Sequence, residues 1–238
     1  MKKLLFLVSF LMVLLMTPMV MAYTVTIDRV GGYYSGNGGE FTLFPSADLQ
    51  WVLTDYVQGV TKNIVLGAAL NFQSFCVETD EYVNIPGGPY TAVINYQAIA
   101  GGENTNGGDP ISVGTAWLYH EFQLGILKGY EYISGPGRAT TAGYLQNAIW
   151  WLEEEGIAYD PGNYWMKAAY DKFGGEAGAR ANNNGTYPVA VLNLYDAAGN
   201  LKQDQLVCVP APEPATMLLL GSGLLGLAGY GRRKFFKK

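Results

Sequence analysis

The chain has 238 residues, with 31 glycines, 17 tyrosines, two cysteines and a formal net charge of −5. Residues 23–214 alone hold eight Lys and Arg against 20 Asp and Glu, a balance of −12. This acidity argues against nucleic acid as a partner, and the stretch is one domain's worth of chain.

The chain opens with MKKLLFLVSFLMVLLMTPMVMA. Lys2 and Lys3 form a charged start, Leu4 to Met16 an apolar run too short for a bilayer, and Val20 and Ala22 the small residues of a cleavage site. Residues 1–22 are therefore expected to be a secretory signal peptide, which implies signal peptidase as a partner during export. An exported domain over 23–209 follows.

Its glycines cluster in GGYYSGNGG, NIPGGPY, AGGENTNGGDP, SGPG and FGGEAGARANNNG, which read as turns and surface loops. YTVTIDRV alternates as a strand does; EFTLF and NFQSFCVE are short strand candidates, and YTAVINYQAIA suits strand or helix. Ser112 caps a helix expected to run to Leu127, with Val113, Ala116, Trp117, Leu124 and Leu127 on one face. A second helix is expected from Thr140 or Thr141 to Gly156, and a third in NYWMKAAYDKF. Residues 186–209 read as a terminal hairpin turning at Ala198-Gly199-Asn200. The fold class is α+β: a β-sheet-dominated, sandwich or barrel-like domain with inserted helices, flanked by the signal peptide and a C-terminal transmembrane helix.

Pro210, Pro212 and Pro214 stiffen a linker over 210–214. Residues 215–231 are uncharged and mostly apolar, at the lower limit of a membrane span, and 232–238 form a basic tail expected to stay in the cytoplasm. The order Pro212-Glu213-Pro214, Gly-rich apolar run, Arg232-Arg233-Lys234 resembles the PEP-CTERM sorting signal of Gram-negative bacteria. The resemblance implies recognition by an exosortase in the inner membrane and delivery to the outer envelope or extracellular matrix, alongside exopolysaccharide. It supplies an address and no activity.

Within the second helix, GYLQNAIWWLEEE places Gln146, Ile149 and Trp150 on one face. A glutamine there is partly buried, and a buried amide must be hydrogen-bonded. Cys76 lies in FQSFCVE, where alternation puts Phe72, Ser74, Cys76 and Glu78 on one face. A thiol beside a glutamine carboxamide can expel ammonia and leave a thioester, an acyl donor toward amines that survives only where aromatic groups exclude water. Phe75-Cys76-Val77 and the Leu145, Gln146, Ile149, Trp150 pattern resemble the two motifs of the thioester domain of bacterial surface adhesins. That resemblance implies a Cys76–Gln146 bond shielded by Phe75, Ile149 and Trp150, and an amine-bearing surface or matrix target.

Two alternatives stand beside it. A Cys76–Cys208 disulfide suits an exported chain and would leave Gln146 a core amide in a non-covalent matrix or carbohydrate-binding module; the thiols could also be free. Weaker candidates are His120, which has no second histidine to share a metal, and Asp80, Glu81 and Asp109, which lack EF-hand spacing and read as solvated loop. Tyrosine pairs in GGYYSGNGG and KGYEYISG are expected at loop surfaces, where they could line a sugar-binding face. Glu153, Glu154 and Glu155 close the second helix where its dipole disfavours anions and read as a solvated end. No catalytic triad, phosphate loop or CxxC appears, so neither a turnover enzyme nor a cofactor or metal is expected.

Overall fold

The structure is a computed structural model that describes residues 22–53, 59–64, 70–99 and 108–209. The expected leader as far as residue 21, and the linker, membrane helix and basic tail of 210–238, lie outside the described residues. Among those described, no helix is long and apolar enough to cross a membrane.

The strands are β1 (Ala22–Asp28), β2 (Phe41–Pro45), β3 (Phe72–Ser74), β4 (Gly87–Asn95), β5 (Gln97–Ala98) and β6 (Asp109–Pro110), with β7 (Val189–Tyr195) and β8 (Leu201–Cys208) after the helices. The helices between are α1 (Val113–Gln123), α2 (Pro136–Leu152), α3 (Tyr164–Phe173) and the short α4 (Glu176–Ala179). Six strands form one antiparallel sheet in the order β3-β2-β1-β4-β7-β8; β5 and β6 pair separately. In β1 the expected alternation holds, with Tyr23, Val25 and Ile27 buried and the residues between exposed.

The sheet curls until its edges meet. Just past β3, the Phe75 carbonyl accepts from Leu206 N at 3.0 Å, and Val77 N donates to the Asp204 carbonyl at 3.1 Å. Both edge strands thereby satisfy backbone groups that an open sheet would leave exposed. Phe72 and Phe75 from one edge and Leu206 from the other join Leu118, Tyr119 and Phe122 of α1 in the core. The Tyr119 hydroxyl lies 2.9 Å from the Leu206 carbonyl and 3.1 Å from that of Gln73, spanning the seam.

Local chemistry sets the helix limits. Ser112 caps α1 by accepting from Thr115 N, but the helix stops at Gln123 rather than Leu127, because Leu124 is the cap and Gly125 follows at φ 73°. Helix α2 begins four residues before the earlier of its expected starts: Gly135 precedes it and Pro136 takes the first turn, where a missing N–H costs nothing. Asn163 caps α3 by accepting from Trp165 N and Met166 N, and Gly174, at φ 76°, ends it. The hairpin turns as expected, with Asp196 Oδ1 accepting from the backbone of Ala198 and Asn200. The ambiguous stretch that begins at Tyr90 is strand as far as Asn95, paired to β1 and β7, and its Gln97 and Ala98 form β5, paired to β6.

The three glutamates ending α2 are not a solvated end. Only Glu154 is exposed, paired with Arg180 at 3.0 Å. Glu155 is buried and accepts from the backbone and hydroxyl of Thr79. Glu153 is buried at the opposite helix end, that of α1, accepting from Ser112 N at 3.2 Å and Ser112 Oγ at 2.7 Å. An unfavourable place on one helix dipole is thus a favourable place on another. Burial, against the pull of the Ser112 and Thr115 hydrogen bonds and with a push from Asp109, raises the Glu153 carboxyl from 4.5 to about 7. The folded state therefore holds more protons than the unfolded chain between those values, and this group's contribution to stability falls as pH rises through that window. Glu153→Gln is expected to flatten that slope, measured as the urea midpoint at pH values on either side of it.

Candidate functional site

The thiol of Cys76 and the amide of Gln146, 70 positions apart, are in contact. Gln146 lies in the middle of α2 and is 1% exposed; Cys76 follows β3 and is fully buried. Cys76 Sγ is 3.4 Å from Gln146 Oε1, and Gln146 Nε2 donates to the Cys76 carbonyl at 2.8 Å. Gly39 N donates to the same Oε1 at 2.9 Å. The carboxamide is held at both ends, so its carbon has one fixed position relative to the sulfur.

The third arm comes from the β1–β2 loop, which reaches the amide only because two of its residues lack side chains. A Cβ on Gly38 would sit 2.6 Å from Gln146 Cγ, and one on Gly39 would sit 2.4 Å from Phe75 Cδ1 and 3.1 Å from Gln146 Oε1. The next residue, Glu40, anchors the loop. It is fully buried and takes a two-pronged contact from Arg138 in the first turn of α2, at 2.6 and 2.8 Å, with a third bond from the Tyr130 hydroxyl at 2.6 Å. Arg138, 1% exposed, also donates to the Tyr132 and Val60 carbonyls and lies over the Tyr33 ring. Planar charges matched in this way keep their bonds when desolvated.

Electrostatics keep the thiol protonated. Burial, reinforced by the nearby Glu78, pushes Cys76 well above the usual thiol range, while the Trp150 indole and Arg29 pull the other way without reversing it. Phe75 and Ile149 are fully buried, and Phe75 meets Phe122 edge-on at a centroid distance of 5.1 Å. Trp150 is half-buried. It lies on the boundary of two surface cavities, which also share Asn37. One, about 550 Å³, reaches Gln146 and is walled by Ser35, Thr140, Tyr144 and Asn147; the other, about 410 Å³, is lined by Arg29, Thr79 and Tyr82.

The alternative pairing of Cys76 with Cys208 is not made; both are free, buried thiols. Cys76 is bridged across the seam to Gln205, and Cys208 lies three positions farther along β8. That offset is about 10 Å of strand and an odd number of residues, so the side chains leave opposite faces, outside disulfide reach.

Other expectations are also redistributed. Tyr130 and Tyr132 pack inward, on Phe122 and around Glu40, instead of forming an exposed pair. His120 is half-buried on α1 with its ring 5.9 Å from that of Tyr187. Asp80 lies outside the carboxylate group that does form: Glu78, Glu81 and Asp204 bring oxygens within 4.8 Å of one another, a donor set of the kind hard cations take. Asp204 already accepts from Ile99 N, Leu194 N and the Asn193 amide. Burial, with the adjacent Asp204, raises the Glu78 carboxyl, the direction that eases the crowding of three acids.

Gly38, Gly39, Glu40 and Arg138 are the site residues that sequence reasoning missed. The available signal was GNGGE: paired glycines followed at once by a lone acid, with a lone arginine in the first turn of the glutamine helix.

The C-terminal residues 210–234 match the PEP-CTERM protein-sorting motif. That motif implies exosortase processing and export to the envelope of a Gram-negative bacterium. No curated protein and no solved structure matches the chain.

Two outcomes test this geometry. Gly39→Ala is expected to destabilise the fold by about 1–3 kcal/mol, because its methyl group overlaps Phe75 and displaces the amide; denaturant unfolding measures it. Arg138→Ala is expected to cost about 3–5 kcal/mol by leaving the buried Glu40 unpaired, with a double variant carrying Glu40→Gln recovering part of that loss.

Proposed function

We propose that the exported domain is a single-use acyl donor: Cys76 and Gln146 condense to an internal thioester, which an amine on an envelope or matrix partner then opens, leaving the protein covalently attached. The reading is carried by the contact between thiol and carboxamide, with Gly39 N aimed at the amide oxygen.

The condensation balances without an external reagent. The Cys76 sulfur bonds to the Gln146 side-chain carbon, the C–N bond breaks, and the thiol proton leaves with the amide nitrogen as ammonia. Gly39 N–H faces the oxygen where negative charge collects, the role of an oxyanion donor. The raised thiol pKa makes a free thiolate scarce, so sulfur attack and proton transfer to nitrogen belong to one event. Burial that slows formation also slows hydrolysis: Cys76, Phe75 and Ile149 are fully buried, and Gln146 is 1% exposed at the cavity wall. The released thiol is retained, no group is regenerated, and the domain acts once instead of turning over.

Intact mass tests this directly. The secreted protein is expected to be lighter than its sequence by one ammonia and to gain one methylamine when treated with it. Cys76→Ala and Gln146→Ala are each expected to restore the full sequence mass and abolish the adduct. A protein at its unmodified mass, or a methylamine adduct that survives either substitution, overturns the assignment.

A further inference from the structure

We propose that the amine received at Gln146 belongs to an amino sugar, the free 2-amino group of a hexosamine unit, and not to a protein lysine. The proposal rests on the thioester reading and adds the substrate class.

The first observation is the neutral lining of the cavity. Among the described residues, those that line it beside Gln146, which include Ser35, Asn37, Thr140, Tyr144, Asn147 and Trp150, hold no group that could take a proton from an ammonium near pH 7. Only a neutral amine attacks an acyl carbon. A lysine, with its pKa near 10.4, is unprotonated in roughly one molecule in 2,500 at pH 7. With no such group among the described wall residues, it arrives in the wrong state. An amine flanked by electron-withdrawing hydroxyl and ring-acetal carbons titrates much nearer neutrality and arrives ready to react.

The second observation is the character of the walls. Tyr144 is half exposed and Trp150 half buried, offering ring faces, while Asn37, Asn147, Ser35 and Thr140 offer neutral donors and acceptors. Apolar sugar faces stack on aromatic rings, and hydroxyls pair with amides and other hydroxyls. The volume, about 550 Å³, is in the range of small-ligand sites. Among the described wall residues there is no acidic side chain to hold a lysine or a free peptide terminus. In the reaction, the amine nitrogen bonds to the Gln146 carbon, the carbon–sulfur bond breaks, and an amine proton passes to the Cys76 sulfur, whose high proton affinity suits it to receive one.

The test offers the secreted protein three probes at equal concentration and neutral pH: a deacetylated glucosamine trimer, a lysine peptide with a blocked N-terminus, and a lysine-free peptide with an open one. Methylamine is the reference, and intact mass reads the adduct. The trimer is expected to label about tenfold faster than either peptide, a difference of about 1.4 kcal/mol. Tyr144→Ala is expected to shrink the trimer's advantage, and raising the pH to narrow the gap with lysine. If methylamine labels the protein but either peptide keeps pace with the trimer, the sugar assignment is overturned while the thioester stands. If no ammonia is lost and no amine adds, the thioester reading fails and takes this proposal with it.

Discussion

The architecture of the site depends on one nearly buried side chain being hydrogen-bonded at both ends. An amide in an apolar interior costs a few kcal/mol if left unpaired. Gln146 avoids that by binding two segments distant in sequence, the Cys76 carbonyl at the sheet seam and the Gly39 N–H of the β1–β2 loop. Three pieces of chain therefore meet at one planar group. Moving any of them strands a buried donor or acceptor, so the same bonds that stabilise the interior hold the thiol against the amide.

Two supports make that meeting possible. The curl of the sheet carries the segment after β3 onto β8 and sets Cys76 opposite Gln205, which also places Cys208 out of reach. The Glu40–Arg138 pair ties the loop to the helix that carries Gln146. A buried ion pair is weak evidence for stability, but its fork geometry specifies orientation. Here it fixes the loop one residue beyond the glycine that touches the amide.

The chemistry of the site follows from a conflict between burial and reactivity. A surface thiol would ionise more easily, and a thioester formed there would meet water. Cys76 is buried among aromatic rings and held protonated, while Gln146 contributes to the cavity wall. The proposed thioester would need this combination of a buried sulfur and an acyl group beside a cavity. The sorting motif at 210–234 is in keeping with a protein that leaves the cytoplasm.

Much of this was legible in the sequence because it is local. The strand alternation of β1, the caps Ser112 and Asn163, the Ala198-Gly199-Asn200 turn and the C-terminal sorting motif each depend on residues a few positions apart. The pairing of Phe75-Cys76-Val77 with the Gln146 helix could be named as a candidate, since an amide among tryptophans demands a partner. What the sequence left open was decided by contacts across long separations. The early start of α2 reflects a glycine-proline cap within SGPG, whose composition by itself predicts a loop. The burial of Glu153 reflects a neighbouring helix end, and the inward turn of Tyr130 the charge on Glu40. Whether Cys76 faced Gln146 or Cys208 was settled by the curl of the sheet and the parity of a strand, because side-chain direction alternates with every residue and only the pairing register sets which face meets which.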